Sequence, residues 1–231
     1  KHAHEPINPE QLVSMIAAQS LQFVPGSNYA YSSSNYVLLA QIVEAASGLA
    51  WADYIQKKIC RPLEMNNTGV YPDYAQREDF ARGQVADEAG NLHMVPAFDI
   101  SRGYGAGALA STVDDLLKLH YALDNGSLLQ PATVDLMLTP HSPTYGHGWL
   151  VDDFGGHRLT AHGGGVPGFV SMMQRWLDDS LCVIVLANNV NTPVHTIATA
   201  LAAIALGERY DLPLERVPAE ISGAGLAEYE G

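Results

Sequence analysis

Apolar positions along this chain change their spacing twice, and each change marks a different kind of element. Up to residue 59 they recur at three- and four-residue intervals, the helical period. Asn8-Pro9-Glu10-Gln11 reads as a helix start, with an N-cap side chain, proline at the first helical position and Gln11 placed to close a capping box. This helix is expected to run to about Gln19. Pro25-Gly26 breaks the chain, and Tyr36, Leu39, Val43 and Ala46 then form the expected core-facing stripe of a second helix that stops at Gly48. A third helix is expected from Trp51 to Ile59, ended by Arg61-Pro62.

From there to Gly107 the sequence is irregular, with scattered Gly, Pro and Asp, as in a functional or wrap-around segment. Ser111-Thr112 caps a further helix carrying Leu116, Leu117, His120 and Leu123, with Asn125-Gly126 as its stop and the Asp114-Asp115 pair in its first turn as dipole and cap chemistry. The period then shortens. Residues 147–152, 157–161, 169–176 and 181–188 are expected as four strands, separated by turn-forming Gly, Pro, Asp and Ser. Short turns between consecutive strands imply an antiparallel meander. Thr192-Pro193 opens a last helix, apolar through Leu206, suited to cover one face of that sheet. The fold class is therefore α/β of the α+β type: an antiparallel sheet flanked by helices, with a mostly helical part over about 8–140 and the sheet and final helix over about 141–207. Residues 1–221 read as one domain and 222–231 as a tail or the start of a further segment.

Composition adds a sign to this picture. Of 231 residues, 47% are hydrophobic and the net charge is −13, so a sizeable core is affordable and phosphate backbones are repelled. Nucleic acid is set aside as a partner. The longest apolar stretches, 181–190 and 196–206, fall short of the roughly 20 residues of a membrane-spanning helix. Cys60 and Cys182 lie far apart without metal-knuckle spacing and read as free thiols. His2-Ala3-His4-Glu5 reads as a solvated terminal segment rather than a metal site, and no cofactor is expected. No leader is evident and the sequence starts with Lys1, so the compartment and the oligomeric state stay open.

Three common catalytic designs lack their local signatures: G-x-S-x-G, G-x-x-x-x-G-K-[ST] and H-E-x-x-H do not occur. What remains is the tyrosine-serine cluster at 29–36 and HGGG at 162–165. Pro25-Gly26 followed by Tyr31-Ser32-Ser33 and Tyr36 resembles the P-G-x-x-[FWY]-x-Y-S-N segment of the serine β-lactamase-like family, which includes class C β-lactamases, D-alanyl-D-alanine carboxypeptidases and related esterases. "RPLEMNNTGVYP", "GYGAGALASTVDDLLKLHYAL", "YGHGW" and "TAHGGGVPGFVS" resemble further segments of that family, in the family's order, so that the likeness covers about residues 10–207.

The resemblance implies an acyl-enzyme mechanism. In the family, S-x-x-K provides a nucleophilic serine with a lysine one helical turn away, and a tyrosine works with that lysine as general base and returns the proton to the leaving group. The tyrosine here would be Tyr31. His162-Gly163-Gly164 would be the third active-site motif, with the Gly165 amide as an oxyanion donor. Ser33 stands where the family has the asparagine of Y-x-N, and Gly163 stands where a hydroxyl residue commonly holds a substrate carboxylate. Both substitutions favour a broader esterase or amidase over a β-lactam or D-alanyl-D-alanine substrate, acting on a small-molecule or peptide acyl compound.

The main departure is the nucleophile. The residues three positions before Lys57, Lys58 and Lys118 are Tyr54, Ile55 and Asp115, and Lys1 has none, so S-x-x-K is absent from this sequence. The expectation is that the motif lies upstream and that both ends are cut, leaving this polypeptide inactive alone and possessed of one candidate partner, the missing N-terminal segment. Ser33-Ser34-Asn35 also reads literally as the S-x-N of other penicillin-binding proteins; the distance from Pro25-Gly26 favours Tyr31 instead. Tyr36, Tyr29, Tyr145 and Trp149 are expected in the core. A non-catalytic binding or sensing module on the same fold is the alternative, and a chance match would leave Tyr31 and His162 in different places.

Overall fold

The computed structural model describes residues 5–72, 74–142 and 144–210; His2, His4 and the expected tail at 222–231 lie outside them. Four antiparallel strands form the main sheet in the order β5 (Leu150–Phe154), β6 (His157–Val166), β7 (Phe169–Trp176), β8 (Leu181–Ala187), the meander expected from the short turns. α7 (Val194–Leu206) packs on β7 and β8 and buries Val194, Ala198 and Ala202 against Ala161, Met172, Trp176 and Val183. Helix-sized small residues on α7 let the helix lie close to the sheet, which is why an alanine-rich segment suffices to close this core.

A second core belongs to the helical half. α1 (Pro9–Ala17) starts with the expected capping box, Gln11 N–H donating to Asn8 Oδ1 and Gln11 Oε1 accepting from Asn8 N–H. α2 (Ser33–Ser47) is capped by the Ser32 side chain and ends at Gly48 with φ 69°, a left-handed turn that suits glycine. Its buried residues are Val37 and Ala40, packed with Trp51 of α3 (Trp51–Ile55) and with Tyr104 of α4 (Tyr104–Gly107). The expected stripe is thus rotated: Leu39 is 51% exposed, because the close contact with α4 selects small Ala40. A side chain on Gly105 would overlap the Ala40 Cβ and the Tyr36 carbonyl oxygen. α3 continues into a wide helical turn, Gln56–Cys60, so the expected helical stretch to 59 is present with a change of pitch. α6 (Pro131–Met137), with proline in its first turn, is an element the sequence reading did not include.

Two small two-stranded antiparallel sheets organise the irregular stretch: β1 (Gly69–Val70) pairs with β4 (Leu109–Ala110) just past its end, and β2 (Gln84–Ala86) forms a hairpin with β3 (Leu92–Met94). Its role as a wrap is evident at β2: Gln84 N–H donates to the Asn188 carbonyl at 2.8 Å, and Ala86 N–H donates to Asn191 Oδ1 at 2.8 Å. Gly83 and Gly168 meet back to back there, a Cβ on Gly83 falling 2.8 Å from the Gly168 Cα, so neither position has room for a side chain.

α5 (Val113–Asp124) is capped by Thr112 and buries Asp115, His120, Ala122 and Leu123. Asp115 does more than cap. Its fully buried carboxylate accepts from Asn67 N–H at 2.7 Å, Thr68 Oγ1 at 2.9 Å and Lys118 Nζ at 2.9 Å, joining the helix to the 61–70 segment. Burial pushes its pKa up, but Lys118, Asn67 and Thr68 outweigh that and hold it below the usual carboxylate value. Cys60 and Cys182 are both free, and burial raises the Cys182 thiol to about 11.

Two outcomes are expected. Asp115→Ala should cost about 2–4 kcal/mol in urea unfolding, since it strips three donors of a buried acceptor. Because the folded-state pKa of Asp115 is depressed, the wild-type advantage should be full above the unfolded value near about 3.9 and disappear as pH falls through the folded value. Gly105→Ala should destabilise by about 1–3 kcal/mol, because the α2–α4 contact has no room to relax; unfolding midpoints of the two variants measure both.

Candidate active site

The period-two geometry of β6 and β7 sorts their side chains between two faces. Ala161, paired with Gln174, and Gly163, paired with Met172, lie on the face covered by α7; Thr160, His162 and Gly164, paired with Arg175, Met173 and Ser171, lie on the other. The register extends β6 five residues past the expected strand end. His162-Gly163-Gly164-Gly165 is strand, and the turn falls at Pro167-Gly168 instead. Beyond Ala161, the last residue paired to β5, β6 runs with β7 alone among the described strands.

On the His162 face five aromatic rings from three segments of the chain converge. The Tyr31 centroid lies 5.8 Å from Tyr36, 5.7 Å from Tyr145 and 6.0 Å from His162, and Tyr29 lies 5.9 Å from Tyr145. Tyr31 is placed by the extended residues leading to the Ser32 cap, and Tyr36 by the first full turn of α2. Tyr31 is 49% exposed, and its hydroxyl has no hydrogen-bond partner among the described residues. The Tyr145 hydroxyl stands 2.9 Å from His162 Nε2 and 2.5 Å from the Tyr36 hydroxyl, and His162 Nδ1 stands 2.7 Å from the Gly163 carbonyl oxygen. Burial raises the Tyr36 and Tyr145 pKa values, and the neighbouring charges that act on Tyr145 are other phenols, Tyr36, Tyr31 and Tyr29. Both hydroxyls therefore stay protonated at neutral pH.

Two expectations change here. Tyr29 is not buried, at 44% exposure, and lies at the rim of the cluster. Tyr36 and Tyr145 are half-buried, with their hydroxyls in the site's hydrogen-bond chain, although their apolar neighbours suggested core positions. The signal was available in the spacing of "YGHGW" just before a strand, but only the sheet register aims Tyr145 at His162. Trp149, also expected in the core, is half-buried outside the two core clusters, with the Arg175 guanidinium over its ring at 5.4 Å. Arg175 is 1% exposed, donates from Nε to His120 Nδ1 at 3.1 Å and pairs with Asp124, so it ties β7 to α5 and to the loop that carries Tyr145. Burial lowers the pKa of His120, against the pull of Asp124 and with the help of Arg175.

Of the other expected site residues, Ser33 is exposed in the first turn of α2, and Gly164 and Gly165 are exposed on the free part of β6. A Cβ on Gly163 would point at Met172 Cε, 3.0 Å away on the α7 side. A Cβ on Gly164 would meet Ser171 Oγ at 2.9 Å, so the triple glycine leaves this hydroxyl uncovered on the His162 face. No cluster of three or more metal-ligating side chains occurs among the described residues, and no described helix is long and apolar enough to cross a membrane.

Residues 1–207 match the family model described as Beta-lactamase. The chain belongs to the serine β-lactamase-like family. A penicillin-binding protein of Bacillus subtilis is 30% identical, over 88% of this chain and 50% of that protein. Among solved structures, the octameric penicillin-binding protein homologue from Pyrococcus abyssi superposes with a TM-score of 0.77 at 27% identity, covering 87% of this chain and 48% of its own. A D-stereospecific amidohydrolase from Streptomyces gives a TM-score of 0.70 at 27% identity, over 81% of this chain and 58% of its own. The chain thus spans about half the length of these relatives. As a member of this family of serine hydrolases it has the β-lactamase-like fold, with the helical half and the sheet meeting at Tyr31, Tyr145 and His162.

Replacing Arg175 by Met should leave the Trp149 ring unstacked and Asp124, which is partly exposed, with His120 alone, for a loss of about 1–3 kcal/mol. Urea unfolding followed by tryptophan fluorescence measures both the stability change and the loosening of the Trp149 loop.

Proposed function

We propose that this chain forms the larger part of the catalytic domain of an acyl-enzyme serine hydrolase, with the nucleophile and its lysine supplied by polypeptide outside this sequence. The observation that carries the reading is the convergence of Tyr31 and His162, ring centroids 6.0 Å apart, on the side of the sheet opposite α7. In this reading the missing serine attacks a carbonyl, Tyr31 takes its proton and later gives it to the leaving group, and the exposed Gly165 amide helps hold the oxyanion. The free Tyr31 hydroxyl, half-exposed beside His162, suits a group that must trade a proton with an incoming serine.

The substrate reading is an ester or amide of broad acyl structure. Ser33 has no carboxamide to offer an acyl-amide chain, and the triple glycine gives little side-chain recognition of a carboxylate. The D-stereospecific amidohydrolase among the structural relatives supports an amide bond as the point of attack. The reading of a non-catalytic module has no specific observation in its favour.

The test uses the chain alone and the chain restored with the upstream coding sequence of its gene. The 231-residue chain should resist covalent labelling by a fluorophosphonate or a fluorescent penicillin. The longer protein, if it carries S-x-x-K, should label and hydrolyse p-nitrophenyl esters, and Tyr31→Phe should lower its kcat by about 10²–10⁴-fold, the range of a lost general acid–base. Labelling of the short chain, or full activity in Tyr31→Phe, would overturn the proposal.

A further inference from the structure

The hydrogen bonds around His162 have a direction. A carbonyl oxygen can only accept, so the 2.7 Å contact with Gly163 requires the proton on Nδ1. In the neutral ring Nε2 is then a bare lone pair, and the hydroxyl 2.9 Å from it, that of Tyr145, must donate. Tyr145 has one proton and has spent it, so across the 2.5 Å contact its oxygen accepts from Tyr36. The chain runs Tyr36 to Tyr145 to His162 to Gly163, each group using its donor once.

Neutral His162 is consequently saturated, with neither a lone pair nor an N–H left for the open side of the site. We propose that Tyr145 and Tyr36 are positioning residues for His162: with the Nδ1–H tautomer fixed by the Gly163 carbonyl, they supply the donor that engages Nε2 and holds the ring, and they are the route by which it gains or gives up a proton. The transfer balances without any charged phenol. Nε2 takes the Tyr145 proton as Tyr145 takes that of Tyr36, and Tyr36 takes one from solvent; the two tyrosine contacts survive with their direction reversed, Nδ1–H still donates to the Gly163 carbonyl, and one net proton reaches the imidazole. The raised pKa values of Tyr36 and Tyr145 agree with phenols that pass protons while remaining neutral. Tyr29 and Tyr31, the other titratable groups packed on Tyr145, make ring contacts with it and take no part in this chain of bonds.

The consequence is a division of labour among the tyrosines. Tyr31, with its free hydroxyl, faces the substrate side; Tyr145 and Tyr36 serve the histidine from behind. The inference rests on the proposed function only in taking His162 as a site residue, and its test does not need hydrolysis.

The experiment is ¹⁵N ring spectroscopy of the 231-residue chain labelled at histidine, with His162 assigned through loss of its signals in His162→Gln. At slightly alkaline pH His162 should show a single neutral form with Nδ1 protonated and Nε2 bare. Tyr145→Phe should keep the Nδ1 proton, which the Gly163 carbonyl fixes, but should move the Nε2 resonance to that of a lone pair without a donor and slow the exchange of protons between His162 and water, with amide spectra elsewhere unchanged. Tyr36→Phe, which leaves Tyr145 in contact with the ring, should keep the tautomer but slow the exchange of protons between His162 and water. A wild-type ring protonated at Nε2 overturns the proposal without any variant. An Nε2 resonance unchanged in Tyr145→Phe overturns the positioning role, and unchanged exchange in Tyr36→Phe overturns the route.

Discussion

Everything at this site hangs on the register of β6 against β7. Because strand side chains alternate, the pairing of His162 with Met173 and of Thr160 with Arg175 places a histidine and a buried cation on one face, while Ala161, Met172 and Trp176 go to the other. A slip of one residue would bury His162 beneath α7 and turn the apolar set toward the helical half. The apolar face resists that slip, since α7 covers Ala161, Met172, Trp176 and Val183 as one continuous cluster. The same core that stabilises the sheet therefore fixes where the chemistry points.

The partner half of the site is fixed by close backbone approach rather than by large apolar area. α2 meets α4 where Gly105 faces Ala40 and the Tyr36 carbonyl, so the helix that begins just after Tyr31 is set at a distance only glycine and alanine permit. A second glycine contact, Gly83 against Gly168, brings the wrapping segment onto the turn that ends the free part of β6. Arg175 links the halves from below, reaching α5 through His120 and Asp124 and the Tyr145 loop through Trp149. Positions that look like flexible punctuation in the sequence thus act as contact surfaces.

The elements with strong local signals were legible before the structure. The capping box at Asn8, the Thr112 cap, the meander and the final helix all rest on contacts within a few residues. What escaped depended on remote partners. Leu39 reads as core by its spacing, but which side of α2 is buried is decided by α4; Asp115 reads as a cap, but its acceptor role is set by Asn67 and Thr68. His162-Gly163-Gly164-Gly165 reads as a turn because glycine runs favour turns, and it is strand because β7 supplies an unbroken ladder opposite. Within the site, motif order singles out Tyr31 and His162; Tyr145 is marked only as the first residue of "YGHGW", and Tyr36 carries no local mark that separates it from a core aromatic.

This difference explains why the aromatic cluster matters chemically. A phenol can take up a serine proton only if its anion is stabilised, and here the charges acting on Tyr145 come from other phenols, in a chain whose net charge is −13. Such surroundings disfavour a phenolate at Tyr145 and keep it a neutral phenol. Tyr31 differs in being half-exposed, with no hydrogen bond to its hydroxyl among the described residues, so under the proposed mechanism a lysine could approach it without displacing a described partner. The described residues supply Tyr31, His162 and the hydrogen bonds that hold the histidine still, and under the proposed mechanism the cation for an ionising Tyr31 would come with the serine–lysine pair.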